Sequence, residues 1–323
     1  MVRIVVCCMG LLAAGAAWAQ GPGGYPNKPV RVVVPFAAGG PTDVMARLIA
    51  QKLSENLKQQ FYVENQPGAG GNIGMGAVAK ATPDGYTIIV VSSSFVVNPS
   101  LYARNPYDPY KDFAPITLAA ASPNVLAVHP SVPAKSVKEL IDLIRKEGDK
   151  YNNFAHPGVG TTPHLAAELF KQSLKLDLVA VPFGGAGPAI QSAVAGHTPI
   201  VFSALPPAAP QIKEGKLRGL GITAKQRSAA LPEIPTLEEE GVSGQESETM
   251  QGILAPAGTP KDIVTFLNAE IVKVMKLPDV REKCAALGFE VVANTPEEFA
   301  AYIKADIEKW ARVIREAKIP QIQ

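Results

Sequence analysis

The 323-residue sequence is poor in the side chains on which most protein chemistry depends. It has three cysteines, and two of them, Cys7 and Cys8, fall within an apolar N-terminal stretch. Only Cys284 remains, which excludes an internal disulfide framework for the rest of the chain. Cys284 sits in the amphipathic helical pattern Val280-Arg281-Glu282-Lys283-Cys284-Ala285-Ala286-Leu287 and is expected to pack as a small apolar residue, not to act as a nucleophile. Histidines number four, and no His-Glu-x-x-His or Cys-x-x-Cys pair suggests a metal. No Gly-x-Ser-x-Gly elbow marks a hydrolase nucleophile. An enzyme, a metal and a cofactor are therefore all unexpected. Charge is also nearly absent as a signal: 31 basic against 29 acidic residues give a net charge of +2 without a basic run, which argues against a nucleic-acid partner. Beyond the N-terminal stretch no apolar segment reaches the ~20 residues of a membrane helix.

Arg3, the apolar stretch Ile4 to Ala17 and the small residues of Ala17-Trp18-Ala19 have the layout of a cleaved export signal over residues 1–19. After it, strand and helix patterns alternate. Pro29 to Phe36 reads as a buried strand, a turn follows at Ala37 to Asp43, and Val44, Leu48, Ile49, Leu53 and Leu57 recur at helical spacing. Tyr86 to Ser92, Val125 to His129, Leu178 to Pro182, Pro199 to Ser203 and Leu217 to Thr223 read as further strands. Ser136 with Glu139 and Thr295 with Glu298 have capping-box spacing, Thr259-Pro260 opens a helix, and Gly196 closes one over Pro188 to Ala195.

Two extended, nearly uncharged segments, Ile116 to Val128 and Gly244 to Pro256, read as crossings between domains. They predict an α/β chain of two lobes, the first formed by residues 26–122 plus 247–323 and the second by 123–246. Two crossing strands make a hinge, and the crevice between the lobes is the natural ligand site.

Three loops follow strands, carry glycines and open helices: Ala38-Gly39-Gly40-Pro41-Thr42-Asp43, Gly158-Val159-Gly160-Thr161-Thr162-Pro163-His164, and Phe183-Gly184-Gly185-Ala186-Gly187-Pro188. Glycine lets backbone approach a bound group, and a helix start offers unpaired N–H donors at the positive end of its dipole. A carboxylate satisfies such donors, although each loop taken alone is equally an ordinary helix cap. None ends in the Gly-Lys-Ser/Thr of a phosphate-binding Walker loop. Ser92 and Ser93 end another strand, as hydroxyl donors or as a plain turn.

These stretches, together with Glu64-Asn65-Gln66-Pro67-Gly68-Ala69-Gly70-Gly71-Asn72-Ile73-Gly74, Pro83-Asp84-Gly85-Tyr86-Thr87, Leu231-Pro232-Glu233-Ile234-Pro235-Thr236 and Ala255-Pro256-Ala257-Gly258-Thr259-Pro260, resemble the substrate-binding proteins of tripartite tricarboxylate transporters, the Bug family of periplasmic receptors. The resemblance runs in order along nearly the whole chain. It implies a two-lobed, type II-like periplasmic binding fold, a periplasmic location and a small carboxylate ligand. It also implies contacts from Gly40, Thr42 and Asp43 in one lobe and from Gly160, Thr162, Gly185 and Ala186 in the other. The family's common Tyr-Lys-Gly is replaced by Phe183-Gly184-Gly185, Ser203 stands where an Asp is frequent, and Met250 where Trp is usual. These departures point away from an amino acid and toward a less polar ligand, an aromatic carboxylate; a dicarboxylate is the other small acid expected of such a receptor. The expected partners are the membrane subunits of such a transporter or, alternatively, the ectodomain of a sensor kinase. A monomer is expected.

Overall fold

The computed structural model describes residues 21–316 and 319–322, apart from the side chain of Asp149. The export signal read over residues 1–19 lies outside the described residues. The chain first builds β1 (Val30–Val34), α1 (Pro41–Leu57), β2 (Phe61–Asn65), α2 (Asn72–Ala79), β3 (Thr87–Val91) and α3 (Ser94–Leu101). β1 pairs in parallel with β2 and β3. Its β-branched run suits a strand covered by helices on both faces.

β4 (Phe113–Val128) then carries the chain onward. There follow α4 (Val137–Lys146), α5 (Gly148–Tyr151), β5 (Asn153–His156), α6 (Thr162–Leu174), β6 (Val179–Pro182), α7 (Ala186–Val194), β7 (Ile200–Ala204), α8 (Leu205–Lys213) and β8 (Arg218–Ile222). The chain returns along β9 (Glu248–Pro256) and ends with α9 (Lys261–Lys276), α10 (Pro278–Leu287), β10 (Glu290–Val291) and α11 (Pro296–Glu316).

The strand order is β2-β1-β3-β9-β4-β7-β5-β6, with β8 and β10 also on β4. β4 belongs to both lobes. From Phe113 to Pro123 it pairs antiparallel with β9, and from Asn124 to Val128 with β7. Every β4 residue from Ile116 to Val128 is buried, which explains why that segment carries no charge: an ion there would lose its hydration with no partner to replace it. Two apolar cores flank the sheet of the first lobe, and two flank that of the second. The fold is a mixed α/β, two-lobed one in which β4 pairs with strands of both lobes.

Local signals hold where chemistry is local. Thr295 and Glu298 cap α11 reciprocally, the Thr295 N–H donating to Glu298 at 2.9 Å and the Glu298 N–H to Thr295 Oγ1 at 3.2 Å. Ser136 accepts from the Glu139 N–H at 3.1 Å, but Glu139 reaches the Lys135 N–H instead of completing the box. β2 and β5 escape the sequence reading because they are short and polar at their ends, and α7 begins two residues before Pro188. Cys284 is fully buried in the first lobe, and burial pushes its thiol up to about 11.

Candidate functional site

The loops singled out in the sequence meet where the lobes face each other. Gly40 precedes α1, Thr161 precedes α6, Ala186 is the first residue of α7 and Ala204 precedes α8. All four line one cleft with Thr42, Ser92 and Thr249, and Phe36, Pro157 and Pro163 add apolar wall. None of these four helix starts has a side-chain cap. Pro41, Pro163, Pro188, Pro206 and Pro207 have no N–H to give, so the first-turn donors left to meet an anion include those of Thr42, Thr162, Ala186 and Leu205, with the helix dipoles favouring negative charge. Among the described residues, none that lines the cleft is ionised.

The lobes are shut upon each other. The Ala37 N–H donates to the Gly184 carbonyl at 2.9 Å, and the Thr162 and Thr249 hydroxyls lie 2.6 Å apart. Free space in the cleft is about 20 Å³, room for about one water molecule. A larger solute therefore does not fit the cleft as the lobes stand here.

The remaining predicted site residues divide by what their side chains touch. Thr42 is buried, 2% exposed, and not the exposed loop residue its turn-rich surroundings suggest, because the second lobe covers it. Asp43 faces its own loop: its carboxylate accepts from the Gly39 N–H (3.0 Å), Arg47 Nε (3.0 Å) and Asn65 Nδ2 (2.9 Å). Burial alone would raise its pKa, but these donors and the Arg47 charge outweigh it and hold the carboxyl below its ordinary range. Ser93 is spent on β9, donating to the Glu248 carbonyl and accepting from the Met250 N–H.

Gly160, at φ +84°, shapes its loop. Gly185 brings backbone close, since a Cβ there would stand 3.1 Å from the Ala37 nitrogen. Ala38 is exposed on the outer rim. Phe183 is partly buried and packs against the second lobe's core, and Met250 is fully buried in the first lobe's. Ser203 is wholly buried, with no partner for its hydroxyl among the described residues, and its neighbour Ala204 faces the cleft instead.

Sequence reasoning missed Thr249 and Asn124. The Thr249 hydroxyl donates to Asn124 Oδ1 at 2.8 Å, and Asn124 Nδ2 donates to Ser247 Oγ at 3.0 Å. Thr223 Oγ1 accepts from the Asn124 N–H and donates to the Ser247 carbonyl. This buried chain ties the two crossing strands together at the hinge, directly behind the cleft. The one available signal was polar residues inside an otherwise apolar crossing segment.

Behind the Gly158–Thr162 loop, the His156 and His164 rings lie tilted at 35° to each other with centroids 4.6 Å apart. Their Nδ1 atoms accept from the Gly158 and Gly160 N–H groups at 3.3 and 3.5 Å. Burial, and for His156 also the neighbouring His164, lowers their pKa values from 6.5 to about 3 and about 4. Both are neutral when folded, whereas the unfolded chain protonates them near 6.5. Stability from this pair is complete above pH 6.5 and is lost as pH falls from there toward 4. Urea unfolding at pH 7.5, 6 and 5 should show a falling midpoint, with a smaller fall in His156→Phe. An equal fall in both proteins would clear the pair of that role.

A larger groove of about 510 Å³ lies beside the hinge, but Glu248, Glu290 and Asp306 are in its walls. Burial raises the pKa of both Glu248 and Asp306 against the opposing charge of Lys309, and Lys225 and Arg227 line the same groove, so its walls carry both signs of charge. Among the described residues no three His, Cys, Asp or Glu side chains are grouped to hold a metal, and no helix is long and apolar enough to cross a membrane.

Comparison with known proteins agrees with this geometry. Residues 45–319 match the model of the tripartite tricarboxylate transporter family receptor. The structure of the periplasmic binding protein BugD is 35% identical and superposes with a TM-score of 0.89 over 92% of this chain and 100% of that one. An R. palustris protein solved with adipate is also 35% identical, with a TM-score of 0.88 and the same coverages of 92% and 100%. MatC from Rhodopseudomonas palustris, with bound malate, is 35% identical with a TM-score of 0.85, over 90% of this chain and 100% of MatC. The chain belongs to the tripartite tricarboxylate transporter family of receptors, periplasmic solute-binding proteins of the Bug type.

Proposed function

We propose that this protein is a periplasmic receptor that closes on a small dicarboxylate and delivers it to the membrane subunits of a tripartite-tricarboxylate-type transporter. In this reading residues 1–19 are a cleaved export signal, residues 26–122 with 247–323 move as one lobe, and 123–246 as the other. The observation that carries it is the convergence of uncapped helix starts from both lobes on one uncharged cleft. Each lobe can bind one carboxylate through N–H groups and hydroxyls, with Gly40, Thr42 and Ser92 on one side and Thr161 and Ala186 on the other. A two-ended anion would then hold the lobes together. The relatives solved with adipate and malate support a dicarboxylate over an aromatic acid.

A thermal-shift screen over carboxylic acids tests the reading. Ligand present at a hundred times its Kd should stabilise the fold by ~2.7 kcal/mol, and a flat response to every acid would refute it. The Thr42 hydroxyl makes no hydrogen bond among the described residues and faces the cleft. Thr42→Ala should thus weaken binding of the acid found by ~5–10-fold while changing stability by under ~1 kcal/mol. Unchanged affinity by calorimetry would remove Thr42 from the site.

A further inference from the structure

Four apolar cores pack the two lobes, and three of them draw on one lobe alone. The fourth belongs to the first lobe but is entered from the second. Leu165 of α6 is fully buried in it, and Val159 packs against it. Among the described residues no other apolar side chain from 123–246 reaches a core of the first lobe. The apolar stripe of α6 faces the other way: Ala166, Ala167 and Phe170 recur at helical spacing and pack in the second lobe's own core. Leu165 lies outside that stripe, so its burial serves the contact between the lobes and not the attachment of α6 to its own.

The loop before α6 approaches the first lobe as closely. A Cβ on Gly70 would run into the Val159 carbonyl oxygen, and one on Gly160 into Asn98 Oδ1. Gly70 follows β2, the end of the strand order remote from β9, so a hinge at β4 and β9 would not spare this contact when the lobes part. One group there resists closure. Asn98 is wholly buried, and its Nδ2 donates to the Gly70 carbonyl at 3.1 Å and to Asn72 Oδ1 at 2.7 Å. Its Oδ1, however, has no hydrogen-bond partner among the described residues.

Gly160 lies over that acceptor, and an acceptor kept from water without a partner is costly. The cost is of the order of what one buried aliphatic side chain contributes. Shut and open forms therefore stand close in free energy, and a single side chain can decide between them. We propose that Leu165, together with Val159, is an apolar latch that keeps the lobes shut in the absence of any solute, so that the resting receptor is closed and opens only transiently to admit one; this rests on the two-lobe motion of the reading above.

Small-angle scattering from the solute-free protein tests the latch without any acid. The wild type should scatter as the shut form. Leu165→Ala should move the shut-to-open ratio ~30-fold or more toward open, the least that truncating a buried leucine costs, and show a larger radius of gyration. Leu165→Met conserves volume and should stay shut. Phe170→Leu, in the same helix but inside the second lobe's own core, should lower the urea midpoint and leave the radius at the wild-type value. A wild type that scatters as an open form overturns the inference. So does a folded Leu165→Ala protein as compact as the wild type, or a Phe170→Leu protein that expands as much. Should Leu165→Ala fail to fold, the milder Leu165→Val decides by the same measure: expansion supports the latch and wild-type compactness refutes it. None of these outcomes touches the choice of a dicarboxylate, which the thermal-shift screen decides by itself.

Discussion

Replacing Gly187 with alanine should weaken solute binding by ~5–150-fold, the equivalent of the ~1–3 kcal/mol that overpacking a close contact costs, while leaving the fold as stable as before or more so. The two effects part because they arise in different states of the hinge. Gly187 is the second residue of α7, where alanine is favoured over glycine by up to ~1 kcal/mol of helix propensity. With the lobes shut, however, a Cβ at Gly187 would run into the Ala38 carbonyl oxygen of the facing lobe. Backbone on both sides gives that overlap no easy relief. The variant is penalised only in the closed form, and apparent affinity drops with the population able to close. Gly184, on the same loop, has nothing within 4 Å of its Cβ position, so Gly184→Ala serves as the control. Calorimetry with the acid from the thermal screen, beside small-angle scattering at saturation, would test this. Unchanged affinity and an equally compact complex would mean that binding does not need this contact.

Asp43→Ala should behave in the opposite manner and lower stability and affinity together. Its buried carboxylate gathers three donors, of which the Gly39 N–H and Asn65 Nδ2 come from the backbone and β2 of the first lobe. Hydrogen bonds to a charged group contribute ~1.5–3 kcal/mol, and removal also strands the donors. Arg47 is half exposed, so water can take over its share, and a loss of ~2–3 kcal/mol on urea unfolding is expected. Affinity should fall because the Gly39–Asp43 turn that presents the α1 N-terminus is no longer pinned. Since the folded pKa lies below the ordinary value, Asp43 contributes its stability above about pH 4 and loses it as pH falls through the folded pKa. Wild type and variant should therefore converge in stability in acid. A variant that binds normally and unfolds at the wild-type urea concentration would show that the turn holds without its carboxylate.

The two variants separate what was legible early from what was not. Gly40, Thr42, Thr161 and Ala186 could be named from sequence because glycine next to a helix start is a local backbone requirement, readable within a few residues. Asp43 was legible as a loop residue but not as the group that braces it, since its partner Asn65 arrives from another strand. Thr249 escaped because a strand's alternation shows which residues share a face but not which face meets the cleft. The ligand preference drawn from the departures at Phe183-Gly184-Gly185, Ser203 and Met250 is of another kind, since residue type does not say whether a side chain meets ligand or core: Ser203 and Met250 are buried, and Phe183 packs partly against the second lobe.

The sequence by itself determined the alternation of strands and helices, the two uncharged crossings and the glycine-bearing helix starts, all of which follow from local propensity and from the cost of burying charge. Only the tertiary structure decided that those starts face one another across a shut cleft and that Asn124, Thr249 and Thr162 join across it. Such facts depend on the register between strands distant in the chain and on how two lobes close, and neither leaves a periodic trace in the order of residues.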